Sequence, residues 1–277
     1  MKNQTFRQRL GKSVAGIAAR ISNSRIIMQP MSSGYTGVPS RSKRLRGWQM
    51  GSGSSAAETL PDLPELRSAS SDMVRNSPLA AGTMHTNVSG VIGTGLHFRP
   101  ALNRDLLGLD RDQAQAKGQE IVRELNLAFK TLSWEGNVPW FDLQDLILRG
   151  VLEKGDLGIV RRYDQRPGEV YGTKVVLVEA ERISNPSGKP DSERIKAGVQ
   201  FSSDGRVEGY HFTRFHPGDI AKVEDRRWEY VPAVGDTGLP LMLLPMVHLR
   251  PGQPRGIPYL APIMELAKIL SDYTLYE

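Results

Sequence analysis

The sequence predicts an α+β protein: helices first, then a mostly antiparallel β region, then the start of one more helix. Three observations carry this. Between about residues 60 and 155, apolar residues recur at the i, i+3, i+4, i+7 spacing of helical faces. After Asp156 the period shortens to two, as in strands with one covered face. From Pro258 and Pro262 onward the helical spacing returns. Segregated helices and strands point to α+β rather than to alternating βαβ units. With 39% hydrophobic and 24% charged residues in 277, the chain has ample material for a core. No stretch approaches the roughly 18 apolar residues of a membrane helix.

The elements follow in order. Residues 1–60 are punctuated by Gly, Ser and Pro and read as a basic flexible arm. Residues 1–50 hold ten Lys and Arg and no Asp or Glu; the remainder holds 26 basic and 30 acidic residues. The net charge of +6 therefore averages a basic arm and a mildly acidic body. "VAGIAA" followed by Arg20 and Arg25 fits a secretory signal poorly, whereas composition alone does not separate an organellar presequence from a soluble tether. In "RSKRLRGW", Arg41, Lys43, Arg44 and Arg46 precede Trp48; these five are the candidates for nucleic-acid or partner contact.

The body runs over residues 61–255. Leu66, Ala69, Met73 and Val74 share one face of a first helix, and Asn76 and Ser77 before Pro78 mark a stop, an N-cap and a proline at the first helical position. A second helix runs to Gly93 and Gly95. A third spans "DQAQAKGQEIVRELNLAFKTLS", with Ile121, Val122, Leu125, Ala128, Phe129 and Leu132 expected inward. "WEGNVPW" is a turn, and "FDLQDLILRGVLEKG" a fourth helix ended by Gly155 and Asp156. "DLGIVRRY", "TKVVLVEAERI" and "LMLLPMVHL" read as strands, and "AGVQFSSDGRVEGYHFTRF" as a hairpin turning at Asp204-Gly205. Over residues 256–277, Ile263, Leu266, Ala267, Leu270, Tyr273 and Thr274 line one face of the start of a helix, with no stop signal after them.

The sequence offers little chemistry. With no cysteine there are no disulfides, thiolate nucleophiles or Cys-ligated metals. His85, His97, His211, His216 and His248 have no metal-ligand spacing and read as packed or surface residues. Gly93 and Gly95 lack the third glycine and preceding strand of a phosphate-binding loop, for Phe98 stands where that glycine belongs. Glu179/Glu181 and Glu224/Asp225 are acidic pairs of the kind that could hold a divalent ion, and charge on a solvated edge explains them better. Trp134, Trp140 and Trp228 are candidate interface aromatics, with core packing the alternative. No catalytic, cofactor-binding or metal residue is expected.

The order of short motifs resembles a known family. "SRSKRLRGW", "RNSPLAAG…GVIGTGL", "GDLGIVRR", "AERI…AGV…DGR…GYHF", "HPGD" and "RPGQPRGIPYLAPI" resemble, in that order over about residues 35–275, the portal proteins of tailed bacteriophages of the lambda type. The resemblance implies a structural, non-enzymatic subunit of a ring, dodecameric in the family. The ring sits at one vertex of the procapsid and is the channel for double-stranded DNA during packaging and ejection. It also implies terminase, major capsid or scaffold protein and head-completion proteins as partners, no membrane, and assembly in the host bacterial cytoplasm. The body then corresponds to the portal wing, and the chain to the N-terminal part of a longer protein, with stem, clip and crown beyond residue 277. Two readings from the residues alone stand beside it: a nucleic-acid-binding protein acting through its basic N-terminal arm, and a metal-dependent nuclease using scattered carboxylates.

Overall fold

A computed structural model describes residues 51–219 and 227–276, with side chains of the last helix as far as Tyr273. The candidate contact residues Arg41, Lys43, Arg44, Arg46 and Trp48, and the pair Glu224/Asp225, lie outside the described residues. The first element, α1 (Ser55–Thr59), falls inside the span read as arm. It forms there because the Ala57 N–H donates to the Ser54 hydroxyl at 3.2 Å, capping the first turn, and because Ser55 and Thr59 are buried.

α2 (Leu63–Asn76) and α3 (Pro78–Val91) meet at Ser77, whose extended backbone ends one helix and starts the next. Its hydroxyl does not cap α3; it lies 3.0 Å from the Ser271 hydroxyl of the C-terminal helix, so the junction is tied to the far end of the chain. α4 (Arg104–Leu107) is a single turn that the periodicity does not reveal, made by the Leu106 N–H donating to the Asn103 side chain and by Gly108 at φ +62°. α5 (Arg111–Phe129) starts on a full capping box between Asp110 and Gln113. The stripe expected inward, Ile121, Val122, Leu125, Ala128, Phe129 and Leu132, is half-buried on the more covered side, but no residue of α5 is fully buried. A helical period identifies a stripe but does not supply an element to cover it. Partial cover comes from Trp140, stacked on Phe129 with ring centroids 4.5 Å apart, and from Tyr171, which bonds Glu124. α6 (Trp140–Lys154) packs on α2 and α3, and ends at Gly155, φ +92°.

Two antiparallel sheets follow. In the first, β1 (Gly158–Tyr163) lies between β2 (Thr173–Val178) and β7 (Met242–Leu243). In the second, the order is β3 (Ile195–Lys196), β4 (Val199–Phe201), β5 (Val207–Thr213), β6 (Trp228–Pro232). The expected hairpin is β4–β5, with Gly205 at φ +83° in its loop and a register shift between Gln200 and Phe201. Two expected strands are shorter than their patterns. β2 stops at Val178, and Ala180–Arg182 form a 3-10 turn. Of "LMLLPMVHL", only Met242–Leu243 pair as a strand, because Pro245 has no N–H to donate; Met246 bridges singly to Asp156.

The sheets share one core of Val160, Val178, Ile183, Val199, Phe212 and Met242. The helices build a second around Met73, Ala80, Met84 and Leu260, which the C-terminal helix α7 (Met264–Tyr276) joins through Ala267. The whole is helices followed by antiparallel sheets and a terminal helix, the α+β order the sequence predicts. Among the described residues, no helix is long and apolar enough to cross a membrane.

Candidate functional site

The residue after α6 is the centre of the molecule's strongest polar cluster. Asp156 is fully buried. Arg255 grips it with a two-pronged contact, Nε to Oδ2 at 2.7 Å and Nη2 to Oδ1 at 2.8 Å. Arg67 of α2 adds Nη2 at 3.0 Å from both oxygens, and the Gly256 N–H donates to Oδ2 at 2.8 Å. The remaining donors find carbonyls. Arg255 bonds the oxygens of Ala180, Ile183 and Ala197, each at 2.7 Å, and Arg67 bonds that of Lys154 at 2.9 Å. Two buried guanidiniums thus share one carboxylate, and carbonyl dipoles carry the rest.

The electrostatics follow from burial. Burial raises the Asp156 carboxyl, but the charge and hydrogen bonds of Arg255, then Arg67 and Gly256, outweigh it and hold the group below the ordinary carboxylate range. Burial, and next the like charge of Arg255, pulls Arg67 down to about 10. Backbone geometry brings the partners together. Gly155 and Gly256 touch back to back; a Cβ on Gly256 would stand 1.9 Å from the Gly155 oxygen. The cluster therefore pins α2, the end of α6, the 3-10 turn, the β3–β4 turn and the segment after Arg255 to one point. Its donors and acceptors are spent on one another, so it locks the fold and offers no group for reaction. Sequence reasoning missed all three members. Asp156 read only as a helix end, and the available signal was single charges set between glycines and apolar residues in "GDLGIV" and "PRGIPYL".

The other candidates disperse. His211 lies within 2.9 Å of Gln200 and against the Tyr230 ring, with its pKa lowered by burial. Glu181 pairs with Lys154, and Glu179 is not drawn into that pair. Among the described residues, no group of three or more His, Asp or Glu could hold a metal ion. Trp140 stacks on Phe129, and the Trp228 ring N–H donates to Ser184 at 3.1 Å. Trp134 is partly exposed, with the guanidiniums of Arg166 and Arg162 at 5.4 and 5.9 Å from its ring. What the structure does gather is exposed apolar surface. α7 buries Ala267 but turns Leu266 (69% exposed), Ile269, Leu270 and Tyr273 (60%) outward, at i, i+3, i+4, i+7. Leu96, Phe98, Leu106 and Leu107 are exposed ahead of the half-covered α5. Such surface marks contacts that the described residues do not make among themselves.

Comparison with known proteins agrees with the motif order. The chain is 26% identical over 239 residues to the portal protein of Escherichia phage N15, and 26% identical over 237 residues to portal protein B of Escherichia phage lambda. Each match covers 82% of this chain and 43% of the relative, so the chain spans less than half the length of the curated relatives it matches. The family described as phage portal protein, lambda family, matches residues 41–277. The chain belongs to the lambda family of phage portal proteins.

Proposed function

We propose that this chain is a structural subunit of a portal ring, the conduit for double-stranded DNA during packaging and ejection and the connection between head and tail. The observation that carries the reading is the family match over residues 41–277, and the outward apolar stripe of α7 supports it. A ring needs a heterologous interface, in which two different surfaces of one subunit meet. Conduction of DNA needs weak contact with phosphates, because every neutralised phosphate adds affinity and resists sliding. The 26 basic and 30 acidic residues beyond residue 50 suit that requirement. No turnover of a substrate belongs to this role. The partners are other copies of the chain, DNA, terminase, capsid or scaffold protein and head-completion proteins, at the portal vertex of the virion after assembly in the host cytoplasm. The body over residues 61–255 serves as the portal wing, and residues 256–277 lead toward stem and clip.

Native mass spectrometry tests the reading. A ladder closing at one fixed multiple of the 30.7 kDa chain is expected. A monomer at all concentrations removes the ring from this chain. The basic arm favours a second reading, binding of nucleic acid through residues 1–50, with Arg41, Lys43, Arg44, Arg46 and Trp48 the contact residues.

A further inference from the structure

The first sheet has two different edges, and one of them is half filled. Beyond β2 the chain seats three of its own residues: the Val175 N–H donates to the Leu132 oxygen at 2.7 Å, and the Trp134 N–H donates to the Val175 oxygen at 3.0 Å. Ser133 bridges Val175 in parallel. The segment then leaves through Gly136, φ +80°. Val175 and Leu177 point their backbone groups the same way, because backbone direction alternates along a strand and Leu177 faces Ile159 across the ladder as Val175 faces Arg161. The rail therefore continues past Trp134 to Leu177 with nothing of the described chain paired to it. Facing that rail, α6 supplies Leu143 and Leu146, and the space between is an open groove of about 460 Å³. Its lining charges offset one another: Arg149, Lys154 and Arg182 stand with Glu135, Glu153 and Glu179, and Arg149 and Lys154 are further held by Asp145 and Glu181 outside the lining. A groove with apolar walls, a charged rim of no net charge and an open sheet edge along one side accepts an extended, uncharged peptide by strand addition.

The chain itself carries such a peptide at the opposite edge of the same sheet. Leu243–Leu249 runs on from β7, held to its own chain by the Met246–Asp156 bridge and by the Gln253 side chain, which accepts from the Leu249 N–H at 2.9 Å; it has no charged residue and exposes Leu243, Val247 (52%) and Leu249. We propose that a second copy of this chain lays its Leu243–Leu249 segment into the groove between α6 and the β2 edge, continuing the sheet across the subunit boundary. Opposite edges of one sheet are two different surfaces, so the contact is heterologous and propagates around a ring. The proposal rests on the ring reading above and names its surfaces.

The absence of cysteine makes the test clean. Leu146→Cys and Val247→Cys, both on half-exposed residues, are made as separate single variants of the full chain. Mixed and oxidised, they should give a disulfide dimer of twice 30.7 kDa that neither variant gives alone, and the double variant should give a ladder. Leu177→Pro removes the outward N–H without touching the β1 ladder and should abolish the mixed dimer; where it unfolds, Leu146→Glu, read by light scattering instead of cross-linking, should do the same. Oligomers in which both thiols stay free overturn these surfaces and leave the ring standing. A dimer from Leu146→Cys alone shows an isologous contact and overturns the proposal. A chain that is monomeric throughout overturns both.

Discussion

Replacing Asp156 by Asn tests how this protein holds together. The substitution keeps the shape and removes the one negative charge between two buried guanidiniums. It also turns one acceptor oxygen into a donor amide, facing a donor of Arg255 at 2.7 or 2.8 Å. Removing one partner of a buried ion pair costs about 3–5 kcal/mol, because the other charge is left without compensation. For a body of this size each kcal/mol moves the midpoint by about 2–4 °C, so the melting temperature should fall by about 6–20 °C. Scanning calorimetry at pH 7 reads the difference. Arg255→Leu should cost nearly as much, since it takes away the Arg255 donor from the oxygens of Ile183 and Ala197 and from the carboxylate, and Arg67→Leu should cost less, since Arg255 and Gly256 still hold the carboxylate. Asp156→Asn melting within about 2 °C of the parent would refute the idea that this cluster is the lock.

Further outcomes follow from the same contacts. The Asp156 carboxyl is held below its unfolded value, so its contribution is complete above the unfolded pKa of about 3.9 and is lost as pH falls through the lower folded one. Urea midpoints should therefore drop more steeply below about pH 4 in the parent than in Asp156→Asn, and parallel curves would contradict this. Gly256→Ala must displace the Gly155 carbonyl, and Gly155→Ala adds a strained φ of +92°; each should cost about 1–3 kcal/mol or more and be read as lost soluble yield. Lys174 is fully buried and bonds Glu169 and the Thr131 oxygen, so Lys174→Met should destabilise by about 1–3 kcal/mol in denaturant melts. Duplex binding, where it occurs, should fall by orders of magnitude between 50 and 200 mM salt and vanish on deleting residues 1–50; binding that survives the deletion would move the contact to the body.

Local signals in the sequence carried most of the fold. Pro78 at the first helical position, Gly155 after Lys154 and Asp204-Gly205 between alternating residues act over a few positions, and the structure uses each as read, whereas the Ser77 hydroxyl turns to Ser271 instead of capping. The errors lie where a local pattern depends on a distant partner. The α5 stripe has correct spacing but only Trp140 and Tyr171 to cover it in part, and "LMLLPMVHL" has strand composition yet pairs over two residues. The cluster of Arg67, Asp156 and Arg255 was hidden for the same reason: its members are separated by 89 and 99 residues, and no periodicity links them. The family was legible because it rests on the order of several short blocks rather than on any one, and the apolar face of α7 was legible because i, i+3, i+4, i+7 spacing survives whether or not a partner is present.

The measurement that bears most directly on the central claim is electron microscopy of the purified chain. The account predicts closed rings of uniform subunit number around an open centre wide enough for duplex DNA. Monodisperse particles without a central opening, at concentrations where the protein remains folded, would contradict it.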